Sequence, residues 1–161
     1  MEISRDDFEK LIEKVIDKYR KEESKDNKRK LDMRLHNTKL LLRNFKSLQK
    51  VANLRQQEID ESDDNLDIRE LMMKENLIES IKSSKKKTIT MVGYCERMLK
   101  AYEIDGEMKY NILYDTYINK LTIDQLMEKY NYSKTRIYEL RNEAIEEFSV
   151  CMVGVDGINF K

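Results

Sequence analysis

Apolar residues recur at intervals of three and four along most of this chain, which is the spacing of amphipathic helices. In the first two thirds the pattern predicts helices over residues 4–23, 28–57, 65–81 and 88–103. Between the last two lies the sequence KSSKKK, which is polar and basic and has no apolar residue to anchor it. We therefore expect a helical N-terminal region over residues 1–81, a basic linker at 82–87 and a C-terminal domain over 88–161.

The segment 107–149 predicts three short helices with a tight corner between the last two. Thr122 is the expected N-cap of the middle helix, and Ser133 is that of the last one. Asn131 lies at the corner, where its side chain tolerates the left-handed backbone that such turns commonly require. The last helix, 134–148, has an inward face made of apolar residues at helical spacing: Ile137, Leu140, Ala144, Ile145 and Phe148.

Composition favours an all-α fold. The helix pattern adds to this an order of elements: long N-terminal helices, as a hairpin or a dimerising segment, precede a helix-turn-helix bundle. The 161 residues include no proline and only four glycines, too few for a fold built from many tight turns. They also cannot supply a glycine-rich phosphate loop.

Several chemistries are disfavoured by counting. His36 is the single histidine, and Cys95 and Cys151 form no CxxC pair, so the usual zinc and nucleophile sets lack their parts. We expect no enzyme, no metal and no cofactor, with both cysteines buried and His36 solvated. The chain has no apolar run of about 20 residues and no signal-peptide core, which predicts a cytoplasmic protein without a membrane partner.

Charge is balanced overall, with 31 basic and 31 acidic residues, but it is unevenly distributed. Residues 28–57 hold nine basic side chains and one acidic side chain, a net charge of +8. This helix has either a solvated basic face beside a seam where helices pair, or a basic surface that binds phosphate or an acidic partner. The two interpretations are compatible. The candidate basic residues, with those of the linker, are Arg43, Lys46, Lys50, Lys85, Lys86 and Lys87.

A helix, a short turn and a second helix are the elements with which many proteins enter the major groove of DNA. The outer face of the second helix offers donors, acceptors and a methyl group suited to base edges. Its expected exposed residues are Lys134, Thr135, Tyr138, Glu139 and Asn142, with Arg136 and Arg141 at the flanks.

The motif Thr122-x-x-x-Leu126, a buried corner residue Tyr132 and the run Ser133-Lys-Thr-Arg-Ile-Tyr-Glu-Leu-Arg-Asn-Glu-Ala-Ile resemble the helix-turn-helix of sigma-factor region four. The wider layout resembles the ArpU/RinA-like late-gene regulators of phages of Gram-positive bacteria. The resemblance implies a sequence-specific regulator of phage or prophage late genes that binds double-stranded DNA, with RNA polymerase as a further partner. The positions equivalent to the family's base-reading residues are Lys134, Thr135, Arg136, Tyr138 and Glu139.

Residues 107–149 hold six basic and eight acidic side chains, a net charge of −2, whereas a DNA reader is usually basic. Phosphate contacts would then come from the basic helix and linker. Three alternatives stay open: a phage small terminase subunit, a helical interaction adaptor without DNA binding, and a plain three-helix bundle. Pairing of subunits through the N-terminal helices also stays open, as does whether the apolar tail, 150–160, docks on the bundle or covers a partner surface.

Overall fold

The structure is a computed structural model that describes residues 5–56 and 65–154. In those ranges every regular element is helical, which confirms the all-α prediction. The helices are α1 (Arg5–Gln56), α2 (Ile68–Leu71), α3 (Leu77–Lys82), α4 (Lys85–Asp105), α5 (Glu107–Leu113), α6 (Ile123–Tyr130) and α7 (Lys134–Val153). Helix α5 continues directly into a π-helical turn, Tyr114–Ile118.

Helix α1 is one helix of 52 residues, so the expected break near residues 23–27 is wrong. The stretch is highly polar but contains neither proline nor glycine, and nothing in it ends a helix. The Asp26 carboxylate and the Lys30 ammonium form an i,i+4 ion pair at 2.8 Å across this point. Such pairs support a helix on its own surface, so charge here extends the helix instead of ending it.

The expected basic linker at 82–87 is also wrong. Lys82 ends α3, and the Ser84 hydroxyl caps α4 by accepting a hydrogen bond of 3.4 Å from the Lys87 backbone N–H. The buried Thr88 hydroxyl lies 2.9 Å from the Ile81 carbonyl and so ties the two helices together. The signal for a linker was the lack of apolar residues, but three lysines are good helix formers once a serine caps them.

The chain divides into two compact units between Asp32 and Met33, and not at 82–87. In the described part of the first unit the only element is the N-terminal stretch of α1. The second unit begins inside the same helix because α1 is packed against the other helices of that unit from Asn37 onward. That core consists of Leu41, Leu42, Phe45, Leu48 and Ala52 of α1 with buried residues of α2, α3, α4, α5, the π-helical turn and α7.

A buried polar side chain fixes the connection between α2 and α3. The Asn37 amide nitrogen lies 2.7 Å from the Met72 carbonyl and 2.9 Å from the Lys74 carbonyl. Buried carbonyls without a partner destabilise a fold, so these two hydrogen bonds hold the segment after α2 against α1.

Helices α4 and α7 pack antiparallel. The Tyr94 hydroxyl donates a hydrogen bond of 2.8 Å to the Met152 carbonyl, whereas Tyr102, further along α4, donates one of 2.9 Å to the Glu147 carboxylate. The start of α4 therefore lies beside the end of α7. Burial and the Glu147 hydrogen bond raise the pKa of Tyr102, so the phenol stays protonated and acts as donor.

The first residues of the apolar tail continue α7. Met152 and Val153 are buried in the core, so this part of the tail docks on the bundle; the rest lies outside the described residues. Cys95 is buried as expected, and burial raises the pKa of its thiol to about 12. The expectation for Cys151 is wrong because that residue is exposed on the outer side of α7. His36 is exposed, as expected.

Candidate nucleic-acid interface

The middle helix of the candidate interface, α6, begins where the sequence predicted. The Thr122 hydroxyl accepts a hydrogen bond of 3.3 Å from the Gln125 backbone N–H. The Gln125 side chain in turn accepts one of 2.8 Å from the Thr122 backbone N–H. This reciprocal capping box satisfies two N–H groups that the helix leaves without partners, and it confirms Thr122 as the cap.

The corner between α6 and α7 is formed by Asn131 and Tyr132. Asn131 has φ 54° and ψ 42°, the left-handed conformation that its side chain was expected to tolerate. Ser133 caps α7 as predicted, since its hydroxyl accepts a hydrogen bond of 3.2 Å from the Arg136 backbone N–H. Tyr132 was expected to be buried, but it is 36% exposed. Tyr130, two residues earlier at the end of α6, packs instead against the apolar cluster between α6 and α7.

That apolar cluster sets the angle at which α7 leaves the corner. It is made of Ile112 of α5, Leu126 of α6, and Ile137 and Leu140 of α7, all buried. Because Ile137 and Leu140 fix one side of α7, the residues between them are turned outward. The predicted inward face of α7 is confirmed at all five positions.

A buried carboxylate, which the sequence did not single out, connects the π-helical turn to α6. Asp115 accepts hydrogen bonds from the Lys129 ammonium at 2.6 Å, the Tyr130 hydroxyl at 2.6 Å and the Asn119 amide at 2.7 Å. Burial acts to raise the pKa of Asp115, but these hydrogen bonds outweigh it and the net pKa is lowered. The carboxylate therefore stays charged and holds α6 in place.

Six of the seven predicted DNA-binding residues are exposed, and the seventh, Arg141, is half-buried. They share the outer side of the first half of α7: Lys134, Thr135, Arg136, Tyr138, Glu139, Arg141 and Asn142. The Arg141 guanidinium lies over the Tyr138 ring, and the distance from the guanidinium carbon to the ring centroid is 4.7 Å. The structure thus brings these residues together on one accessible surface, which we call the α7 outer face.

Two members of the α7 outer face form an ion pair. The Arg136 guanidinium lies 3.2 Å from the Glu139 carboxylate, and both side chains are about half exposed. An exposed pair of this kind contributes at most about 1 kcal/mol, so either group is readily released to another partner. Arginine matches the acceptors of guanine and glutamate matches the amino group of cytosine, so the pair has the chemistry needed for base edges.

Part of the basic helix lies beside this bundle. The Arg43 guanidinium of α1 lies 5.6 Å from the centroid of the Tyr117 ring. The Lys46 ammonium, also in α1, donates a hydrogen bond of 2.9 Å to the Asn119 side chain. Both residues are exposed, as is Lys50 one turn further along. Nothing in the sequence indicates that Arg43 and Lys46 meet the turn that precedes α6, because 73 positions separate Lys46 from Asn119.

The three lysines of the predicted linker do not lie near the α7 outer face. Because α4 runs antiparallel to α7, Lys85, Lys86 and Lys87 are at the end of the bundle where α7 ends. The rise of 1.5 Å per residue places that end on the order of 30 Å from Lys134. The structure therefore does not join these lysines to the α7 outer face.

Two exposed acidic residues of α7, Glu143 and Glu147, share one lysine partner. The Lys109 ammonium of α5 lies 2.6 Å from the Glu147 carboxylate and 3.2 Å from that of Glu143. These two contacts raise the pKa of Lys109 and keep it charged. Together with the buried Asp115, three of the eight acidic side chains of residues 107–149 have a lysine partner. Because Lys109 and Lys129 are already counted in the net charge of −2, these ion pairs fix where the charge lies and do not change its sum.

Residues 102–149 match the model of a family described as "Protein of unknown function (DUF1492)", a phage-associated family. The match runs from the end of α4 through most of α7 and so includes the corner and the α7 outer face. No curated protein and no solved structure matches the chain. The family description assigns no function, so the resemblance to phage late-gene regulators stays a prediction.

The described part of the chain has neither a metal-binding cluster nor a membrane-spanning helix. No group of three or more His, Cys, Asp or Glu side chains in this part of the chain is placed to hold a metal ion. None of the helices between residues 5 and 154 that the structure describes is long and apolar enough to span a membrane.

Proposed function

We propose that this protein is a non-enzymatic, sequence-specific regulator of transcription that acts in the cytoplasm on phage or prophage late genes. In this proposal α7 enters the major groove of double-stranded DNA with its N-terminal half, and α6 lies across the backbone. RNA polymerase is a further partner, as the sigma-like motif implies, and subunits pair through the N-terminal helix.

The observation that carries the proposal is the exposure of four side chains on the first two turns of α7, which begins at a capped corner. These residues are Lys134, Thr135, Arg136 and Glu139. A bundle helix without a ligand needs only its inward face. Here the outward side chains include Arg, Lys, Glu and Thr, which together can contact each of the four bases. Their position at the start of α7 is where a recognition helix reaches base edges.

Contacts to the backbone phosphates complete the proposed interface. Arg43 and Lys46 extend from α1 beside the turn that precedes α6. Positive charge at this place fixes the register of a protein on DNA without reading its sequence. It also supplies the counterion release that residues 107–149, with their net negative charge, do not supply.

The test is selection of bound duplexes from a random DNA pool, followed by titration of the selected duplex and a scrambled one. We expect the wild-type protein to enrich one motif. Arg136→Ala with Glu139→Ala should reduce the preference for that motif by at least about tenfold, since each base contact contributes about 1–3 kcal/mol. Glu146→Ala, an exposed carboxylate two turns further along α7, is the matched control and should leave the preference unchanged.

The outcomes separate the competing functions. If no motif is enriched and the scrambled duplex does not bind, the protein is an adaptor or a plain bundle and the proposal fails. If DNA binds without sequence preference and the protein forms a large closed ring in solution, packaging by a small terminase subunit replaces regulation. If the double variant keeps its preference, the assignment of the α7 outer face is wrong.

A further inference from the structure

The first unit of the chain exposes an apolar stripe along α1. The stripe consists of Leu11, Ile12, Val15, Ile16 and Tyr19, which are between 43% and 72% exposed. A lone helix is marginal in water, and most helical stability in proteins comes from packing of such a stripe. Five large apolar side chains on three consecutive turns form a patch that normally has a partner.

The sequence around this stripe is symmetric about the midpoint between Glu13 and Lys14. Positions whose numbers add up to 27 carry either two apolar residues or two residues of opposite charge, without exception from Arg5 to Glu22. The pairs are Arg5 and Glu22, Asp6 and Lys21, Asp7 and Arg20, Phe8 and Tyr19, Glu9 and Lys18, Lys10 and Asp17, Leu11 and Ile16, Ile12 and Val15, and Glu13 and Lys14.

This symmetry favours one orientation of two identical helices. Residues 5–13 hold two basic and four acidic side chains, a net charge of −2, and residues 14–22 hold four basic and two acidic, a net charge of +2. An antiparallel pair sets the acidic half of each helix beside the basic half of the other. A parallel pair sets like halves together, where like charges repel and the helix dipoles also oppose each other.

The flanks of the stripe agree with the antiparallel orientation. Glu9 and Arg20 are eleven residues apart, which is about three turns, so they project on the same flank of α1 within roughly 20°. In an antiparallel pair centred on Glu13 and Lys14, Glu9 of one helix lies at about the level of Arg20 of the other, two residues or about 3 Å away along the axis. Both side chains are exposed.

We infer that two copies of this chain pair through residues 9–20 of α1 as an antiparallel helix pair, with Ile12 of one copy packed against Val15 of the other. The five exposed side chains of two helices bury on the order of 1,000 Å² in total, the low end of specific interfaces. The pairing is therefore weak and depends on concentration. This inference specifies the subunit pairing named in the proposed function and does not depend on DNA binding.

Sedimentation equilibrium of the full chain without DNA tests whether the pair exists. We expect a monomer–dimer equilibrium that Ile12→Asp shifts to monomer, with a loss of dimer affinity of at least about 30-fold. Ile104→Asp is the matched control, because Ile104 is a 79% exposed apolar residue in α4 outside the stripe. A chain that stays monomeric at all concentrations, or a dimer that Ile12→Asp leaves intact, overturns the inference.

Charge reversal tests the orientation without removing apolar area. Arg20→Glu should weaken the dimer about threefold to tenfold, because it sets two carboxylates together on each flank. Adding Glu9→Arg to the same chain should restore the affinity, since the attraction returns with its signs exchanged. A change in helix propensity alone would not be reversed by the second substitution. If the double variant is no stronger than Arg20→Glu, the antiparallel contact is absent.

Disulfide formation is an independent test of the orientation of the two α1 helices in the dimer. In a chain carrying Cys151→Ser, a cysteine at position 19 meets its own copy only in a parallel pair, because the antiparallel pair separates the two by about 16 Å. Disulfides require Cα atoms within about 7 Å. We expect no homodimeric disulfide from Tyr19→Cys, and a mixed disulfide when Tyr19→Cys chains are combined with Phe8→Cys chains. A homodimeric disulfide at position 19 overturns the inference.

Discussion

Lys129 of α6 donates a hydrogen bond of 2.6 Å to Asp115, a carboxylate that is only 6% exposed at the start of the candidate interface. This pair joins the π-helical turn to α6, and α6 in turn supports the corner from which α7 leaves. The geometry of the proposed DNA-reading surface therefore depends on a residue that contacts no DNA.

Removing this carboxylate should destabilise the second unit. Asp115→Ala leaves the Tyr130 hydroxyl and the Asn119 amide without their acceptor, and we expect the free energy of unfolding to fall by about 1–3 kcal/mol. The loss is smaller than for a fully buried pair because Lys129 is 53% exposed and keeps its hydration. Urea unfolding followed by circular dichroism measures it. Glu128→Ala, an exposed neighbour in α6, should change the stability by no more than about 0.5 kcal/mol.

The same carboxylate makes stability depend on pH. The pKa of Asp115 is lower in the folded protein than in the unfolded chain, where it is about 3.9. Its contribution is therefore complete above roughly pH 5 and is lost as pH falls through the folded pKa. We expect the difference in unfolding free energy between wild type and Asp115→Asn to be constant from pH 7 to pH 5 and to shrink below pH 4. A difference that grows with acidity would contradict the assigned charge state.

The cap of α7 is a separate support for the α7 outer face. Ser133→Ala removes the acceptor of the Arg136 N–H, and we expect it to lower stability by about 1 kcal/mol and to fray the first turn, which carries Lys134 and Thr135. Ser133→Asp keeps an acceptor and should retain stability. Ser47→Ala, in the interior of the C-terminal part of α1 and exposed, should not destabilise the protein. Hydrogen exchange of the Arg136 amide reports the fraying directly, and unchanged protection in Ser133→Ala would contradict the role of the cap.

Local chemistry in the sequence was enough to predict the corner of the candidate interface. Thr122, Asn131 and Ser133 act through their own backbone neighbours, so their roles follow from residue type and spacing. The wrong predictions concern elements whose structure depends on distant residues or on whether a helix continues through a polar stretch. Polar, charged residues near Glu23 suggested a break in a helix that in fact continues, since a run of good helix formers needs no apolar face to stay helical.

Tertiary placement was beyond the sequence. Asp115 has one local partner, Asn119, at an i,i+4 spacing, but the contacts with Lys129 and Tyr130 arise only once α6 folds back on the π-helical turn. The two sets of basic residues looked equivalent in the sequence. The antiparallel packing of α4 on α7 places Lys85 at the opposite end of the bundle from the start of α7, whereas Arg43 lies against Tyr117 of the π-helical turn.

This separation predicts different salt dependence for the two basic sets. Arg43→Ala with Lys46→Ala should weaken binding to the selected and the scrambled duplex equally, and should reduce the slope of log affinity against log salt by about one to two, since each lost phosphate contact reduces it by about 0.9. Replacing Lys85, Lys86 and Lys87 together by alanine removes more charge but should leave the slope unchanged, because these residues lie at the opposite end of the bundle. Fluorescence anisotropy at four salt concentrations measures both slopes. Equal effects of the two variants would mean that DNA is attracted by the overall charge of the bundle and not held at Arg43 and Lys46.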